Sequence, residues 1–202
     1  MPMNRSGERE PTSVFDWLAG AHRSCEPAQR GSSLAAPPRT DDPLTVVTSI
    51  EEARAAVDAA ASCAQRLISI YTPDLEPQLY DQSTFLEIIK HFVLSRSFAK
   101  VRVLIAHPEA AVRDNNRFIA MGRRLSSHID IRDAPADERE RAGAYLIADD
   151  RAIVYRLRAD SWHGIAGFDN PPAARSYLAQ FDALWNAGRS QSPQSGARAL
   201  RA

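Results

Sequence analysis

The stretch GAYLIADDRAIVYR (residues 143–156) holds two β-rich runs, about 144–149 and 152–157, on either side of Asp149-Asp150. Asp is a common turn residue, so the pattern predicts an antiparallel hairpin. Working outward, VRVLIA (101–106) is a continuous apolar run, as expected of a parallel strand covered on both faces. LISIY (67–71) reads as a second buried strand, HIDIR (128–132) as an alternating strand nearer an edge, and Val46-Val47 as a short edge strand. Helical patterns separate them. Ser49 and Glu52 form a capping box ahead of a face of Ile50, Ala53, Val57, Ala60 and Ala64. Thr84 and Glu87 form a second, ahead of a helix to about Phe98 that is apolar over most of its circumference. A third helix is expected from Pro108-Glu109 to about Leu125, a long loop over 159–172, and a last helix from Ala173 to about Ala187. The order βαβαβ, hairpin, helix gives an α/β fold with a mixed sheet flanked by helices.

Composition narrows the function classes. The 202 residues are 44% hydrophobic and 25% charged, with zero formal net charge. A neutral chain excludes a nucleic-acid binder that works by bulk positive charge, but not a local basic patch. Only Lys90 and Lys100 are lysines among the 25 basic residues, a bias that codon usage explains. Cys25 and Cys63 form no CxxC pair, which suggests a reducing compartment and no disulfide framework. The first residues carry no apolar signal core, and no 18-residue apolar run exists, so the expected location is the cytoplasm. Residues 1–43 are rich in Pro, Ser, Arg and Glu and read as a mostly disordered tail, with a short helix over 12–22 as its one structured candidate. Residues 44–188 form the domain, and 189–202 a second disordered tail.

Several separated segments agree in order with a known family: IYTPDLEPQLYDQSTFLEIIKHFVLSR, VRVLIAHP, NNRFIAMGRRLSSHIDIR and FDNPPAARSYLAQFDALW. Together they resemble an uncharacterised bacterial domain family with a phospholipase D-like fold, some of whose relatives are fused behind GNAT-type acetyltransferases. The resemblance covers about residues 45–187 and implies a phospholipase D-like half-domain. Active members of that superfamily carry H-x-K-x4-D, in which His is the nucleophile, Lys neutralises phosphate and Asp supports the histidine. His and Lys two apart on a strand point to one face. With the Asp at Asp149, the His and Lys positions are Ala142 and Ala144; with Asp150, they are Gly143 and Tyr145. Neither register restores the pair, and without a nucleophile the covalent route is closed.

The expectation is therefore a non-catalytic phospholipase D-like module, with no catalytic residues and no cofactor. It would bind a phosphate-containing ligand or a partner protein in a regulatory role, the acyltransferase association coming from the resemblance alone. Two other readings stay open: a divergent phosphodiesterase using His107 or His163 with Asp149, and a purely structural interaction domain. Superfamily members with one half-motif often pair, so a homodimer is also expected by resemblance. For binding residues, strand ends are the first place to look. Thr72 and Asp74 follow the strand at 67–71, and His107 follows VRVLIA. Arg113, Arg117 and Arg124 recur near one face of the third helix beside Asn116, a stripe able to hold a phosphate or a nucleic-acid backbone. Asp149 and the loop residue His163 complete the candidates. The five His and two Cys show no metal-ligand spacing.

Overall fold

The structure is a computed structural model and describes residues 44–113, 116–140 and 142–191; of residues 112, 113 and 189–191 only the backbone is described. The short helix expected over 12–22 lies outside the described residues, as does the tail from residue 192. Seven strands form one mixed sheet: β1 (Thr45–Val47), β2 (Leu67–Thr72), β3 (Lys100–Ile105), β4 (Ile129–Asp133), β5 (Ala144–Ala148), β6 (Ala152–Arg156) and β7 (Gly164–Gly167). Their spatial order is β1-β7-β6-β5-β2-β3-β4. β2, β3 and β4 are parallel, and β5, β6, β7 and β1 continue the sheet antiparallel from the other side of β2.

The period-two rule assigns the two faces of the sheet. Ile68, Ile70, Val101, Val103, Leu146 and Val154 enter a core shared with α1 (Ile50–Cys63), α3 (Ser83–Ser95) and α5 (Arg117–Arg124). Tyr71, Leu104, Tyr145, Ile147 and Ile153 face α6 (Pro171–Gln191), which buries Phe181 and Trp185 against them. Two arginines fasten α6. The Arg102 guanidinium lies 5.0 Å from the Phe181 ring centre and pairs with Asp182 at 2.8 Å, and that of Arg132 lies 3.9 Å above Trp185. Cations over aromatic faces are favourable where water is scarce.

Local signals explain the helix starts. Ser49 Oγ accepts from Glu52 N at 3.2 Å, and Glu52 Oε2 accepts from Thr48 N at 2.8 Å, so the first capping box forms with its return bond one residue earlier. The second does not form: α3 starts at Ser83 after Gln82, which makes no side-chain cap bond, and Thr84 lies inside the helix. The expected helix over 109–125 is two helices, α4 (Pro108–Arg113) and α5. Asn116 starts the second by accepting from Phe118 N at 2.8 Å. The expected loop at 159–172 contains β7, which pairs with β6 and receives β1. At Gly164 a Cβ would stand 2.5 Å from the Tyr155 carbonyl oxygen, so the close approach of β7 to β6 at the first ladder pair requires glycine. After the turn that follows β2, α2 (Pro77–Tyr80) adds one helical turn.

Cys63 is disulfide-bonded, where the spacing of the two cysteines leads to the expectation of no disulfide framework. The sequence's other cysteine, Cys25, lies outside the described residues. Among the described residues no helix is long and apolar enough to cross a membrane.

Candidate functional site

The register gathers four chain segments at one end of the sheet. Tyr71 pairs with Tyr145 in the antiparallel β2–β5 ladder, so the head of β5 stands beside the carboxyl end of β2. Ala144 pairs with Arg156, which brings the end of β6 to the same edge. The carboxyl end of β3 arrives with the parallel pairing of Thr72 and Ile105. A cleft of about 510 Å³ opens there, within the usual range for small-molecule sites.

Each wall comes from a different turn. Pro73, Asp74 and Glu76 follow β2, and His107 follows β3. His107 is fixed through its backbone, whose N–H donates to the Pro73 carbonyl at 2.6 Å, and its ring is exposed. Arg139 and Glu140 lead into β5, and Ala142 stands at its head. Arg158, Ala159 and Asp160 follow β6. Ala159 N donates to Ala142 O at 2.7 Å, which continues the β5–β6 contact past the last ladder pair. Arg158 and Asp160 make a solvent-facing bidentate pair at 2.9 and 2.5 Å, which raises the arginine pKa and lowers that of the aspartate. Arg139 donates to the Ala134 carbonyl at 3.2 Å.

Under the cleft lies a buried ion pair. Glu76 Oε1 accepts from Arg156 Nη2, and Glu76 Oε2 accepts from Thr72 Oγ1 at 3.1 Å. Burial raises the Glu76 pKa, while Arg156 and Thr72 act against that rise. Arg156 also donates from Nη1 to the carbonyls of Ala159 and Ser161, at 3.0 and 3.1 Å, and Trp162 packs over its guanidinium at 5.1 Å.

The expected site residues divide accordingly. Asp74 and His107 share the cleft, and Thr72 is buried beneath it, committed to Glu76. Asp149 is at the opposite end of β5, roughly 20 Å away at about 3.3 Å per residue. Its carboxylate accepts from the backbone N–H groups of Gln65, Arg66 and Leu67 at 2.7–2.9 Å and so caps the start of β2. Asp149 itself sits at φ 55, a turn conformation that Asp tolerates better than most residues. His163 is exposed in the β6–β7 connection and is not among the cleft residues. The basic residues of the expected stripe are divided between two helices, Arg113 at the end of α4 and Arg117 and Arg124 on α5. Arg117 donates from Nε to Asp81 Oδ1 at 2.6 Å, and Asn116 is buried. For Arg113 only the backbone is described. Among the described residues no group of three or more His, Cys, Asp or Glu side chains is placed to hold a metal ion.

Sequence reading did not find Glu76, Arg156, Arg139, Arg158 or Asp160. Glu76 and Arg156 are 80 residues apart and meet only through the β2-β5-β6 order. The one available signal was a strand-end position, which Glu76 and Arg156 share with Asp74.

Two solved structures share this architecture. The archaeal chromatin protein TrmBL2, reported to show a novel mode of DNA binding, is 10% identical with a TM-score of 0.53, over 75% of this chain and 55% of that one. Nuc from Salmonella typhimurium, a phospholipase D family member, is 18% identical with a TM-score of 0.51, over 73% of this chain and 97% of that one. The chain thus spans about half the length of the first and nearly all of the second. At these identities the likeness is one of fold: a mixed sheet between helices, of the phospholipase D type. No curated protein matches the sequence. Residues 49–196 match the family described as Domain of unknown function (DUF7931), and the chain belongs to that family.

Proposed function

We propose that this domain binds a phosphate-bearing ligand in the cleft and does not cleave it. The head of β5 carries the reading. Ala142 lines the cleft and Ala144 is buried next to it, at the two positions where the phospholipase D resemblance calls for the nucleophilic histidine and its lysine. A methyl group neither attacks phosphorus nor neutralises it, and losing such members of a catalytic unit removes on the order of 10⁴ in rate. His107, Arg139 and Arg158 remain at the cleft wall as groups that can meet phosphate oxygens. Single-stranded nucleic acid is one source of such phosphates, in keeping with the DNA binding reported for the archaeal neighbour. A regulatory role beside an acyltransferase and the pairing of two copies belong to the same reading, on resemblance alone.

The test is direct. Purified protein is expected to give no turnover of bis(p-nitrophenyl) phosphate above buffer. It is expected to bind a single-stranded oligonucleotide with an affinity that falls as salt rises. Arg139→Ala with Arg158→Ala should flatten that salt slope by about two charges. An unchanged slope in the double variant removes the cleft from the binding. A second reading, a divergent phosphodiesterase, is favoured by one observation: His107 and Asp74 share the cleft. Turnover that disappears in His107→Ala would establish it in place of the first.

A further inference from the structure

The carboxylate of Glu76 is held as a ligand is held. One oxygen takes a guanidinium N–H from Arg156 and the other takes the hydroxyl of Thr72. All three residues are buried, Thr72 completely. The guanidinium is aimed by the Ala159 and Ser161 carbonyls and covered by Trp162. A cation oriented by carbonyls and joined by a hydroxyl donor, both converging on one carboxylate, is the donor set that binds small oxyanions.

The position of this cation is informative. Arg156 is the cross-strand partner of Ala144, and Thr72 and Arg156 lie on the same face of the sheet as Ile70 and Val154. Paired residues on one face stand about 5 Å apart at Cβ. The positive charge that Ala144 lacks is therefore present one strand away, beneath the same cleft and joined to its lining through Glu76. Glu76 reaches it by a special turn. Leu75 is at φ 61, in the left-handed region that a leucine rarely adopts. Asn116 Nδ2 donates to the Leu75 carbonyl at 3.2 Å, and Asp74 Oδ1 accepts from Glu76 N at 3.0 Å, and together they hold the turn. A buried ion pair gains little over an apolar pair of the same volume, so stability alone does not account for this arrangement.

We propose that Thr72 and Arg156 form an oxyanion site that the chain fills with its own Glu76 carboxylate, which takes the place of a phosphate, formate or acetate ion. With Glu76 in position the inner end of the cleft is closed to anions, and a phosphate ligand meets only the outer groups. This inference uses the same cleft as the function proposed above but does not depend on its outcome, because it is read from a difference between variants.

The experiment removes the occupant. Orthophosphate and formate are titrated calorimetrically into wild type, Glu76→Ala and Glu76→Ala/Arg156→Met, with thermal midpoints followed in parallel. Glu76→Ala is expected to lose thermal stability and to regain it in phosphate or formate but not in chloride of equal ionic strength, because a ligand that binds only the folded state stabilises it by mass action. Its affinity for orthophosphate should exceed that of wild type at least tenfold, and the second substitution should abolish the gain. If Glu76→Ala does not fold in buffer, its refolding is followed by circular dichroism against added phosphate or formate: recovery of the fold that Glu76→Ala/Arg156→Met does not show is expected, and no recovery in either anion would overturn the proposal. Equal responses of wild type, the Glu76 variant and the double variant would overturn the proposal. Failure of wild type to bind the oligonucleotide would count against the outer groups alone and leave this comparison standing.

Discussion

The two ends of β5 do different work. At its tail, Asp149 closes the start of β2 with three backbone hydrogen bonds. At its head, Ala142 lines the cleft and Ala144 is buried beside it, and neither side chain carries a polar group. Under the function proposed above, the tail holds the part of the pattern on which folding depends. The carboxylate satisfies N–H groups that would otherwise enter the sheet unpaired, a need that exists with or without a reaction.

Substitutions can break this contrast. The largest effect is expected from Ala144→Lys. If the head were simply an empty seat, restoring the lysine would be neutral. Ala144 is 1% exposed and faces Arg156, whose one carboxylate partner is already shared with Thr72. A second buried cation there should cost about 4 kcal/mol or prevent folding, read from urea unfolding. Asp149→Ala comes next, at about 3 kcal/mol, since it strips three bonds to a charged acceptor and leaves a positive-φ position without its side-chain anchor. A loss under about 1 kcal/mol would mean that the tail is no more structural than the head. Ala142→His sharpens the comparison from the other side. Ala142 is exposed, so the change should stay within about 0.5 kcal/mol of wild type and give no phosphodiesterase activity by itself.

The smallest effect is a pH signature away from β5. Partial burial pushes the Asp58 carboxyl on α1 up to about 6, with Arg54 opposing. A raised carboxyl pKa means that the folded state prefers the proton. The associated stability is complete below the ordinary value of 3.8 and is lost as pH rises through about 6. Asp58→Asn should therefore raise the thermal midpoint slightly at pH 7.5, by about 2 °C, and make no difference at pH 3.5. A gain that persists in acid would assign the effect to something other than this ionisation.

Much of the fold was legible for a physical reason. β2, β3, β5 and β6 are predominantly apolar runs because both faces of the sheet are covered, and such runs stand out against amphipathic helices. β7 was not legible, since GIAG is four residues long and its first glycine serves the close approach to Tyr155 rather than any periodicity. The division into α4 and α5 was hidden because apolar residues on either side, Val112 and Ile119, keep helical spacing, while the cap that starts α5, Asn116, reads equally well as a surface residue. In the site, Asp74 and His107 were found by the strand-end rule. Glu76 and Arg156 were not, because an ion pair across 80 residues exists only once the strand order is known.

Two residues at the start of α5 reach the segment behind the cleft. Asn116 Nδ2 holds the Leu75 carbonyl, and Arg117, one position on, clamps Asp81 just past α2. Both ends of the segment that presents Glu76 are thus moored to the first turn of α5. A rotation of that helix would be transmitted as a lever stroke to the floor of the cleft, so the position of Glu76 is tied to a helix that contributes nothing to the cleft lining.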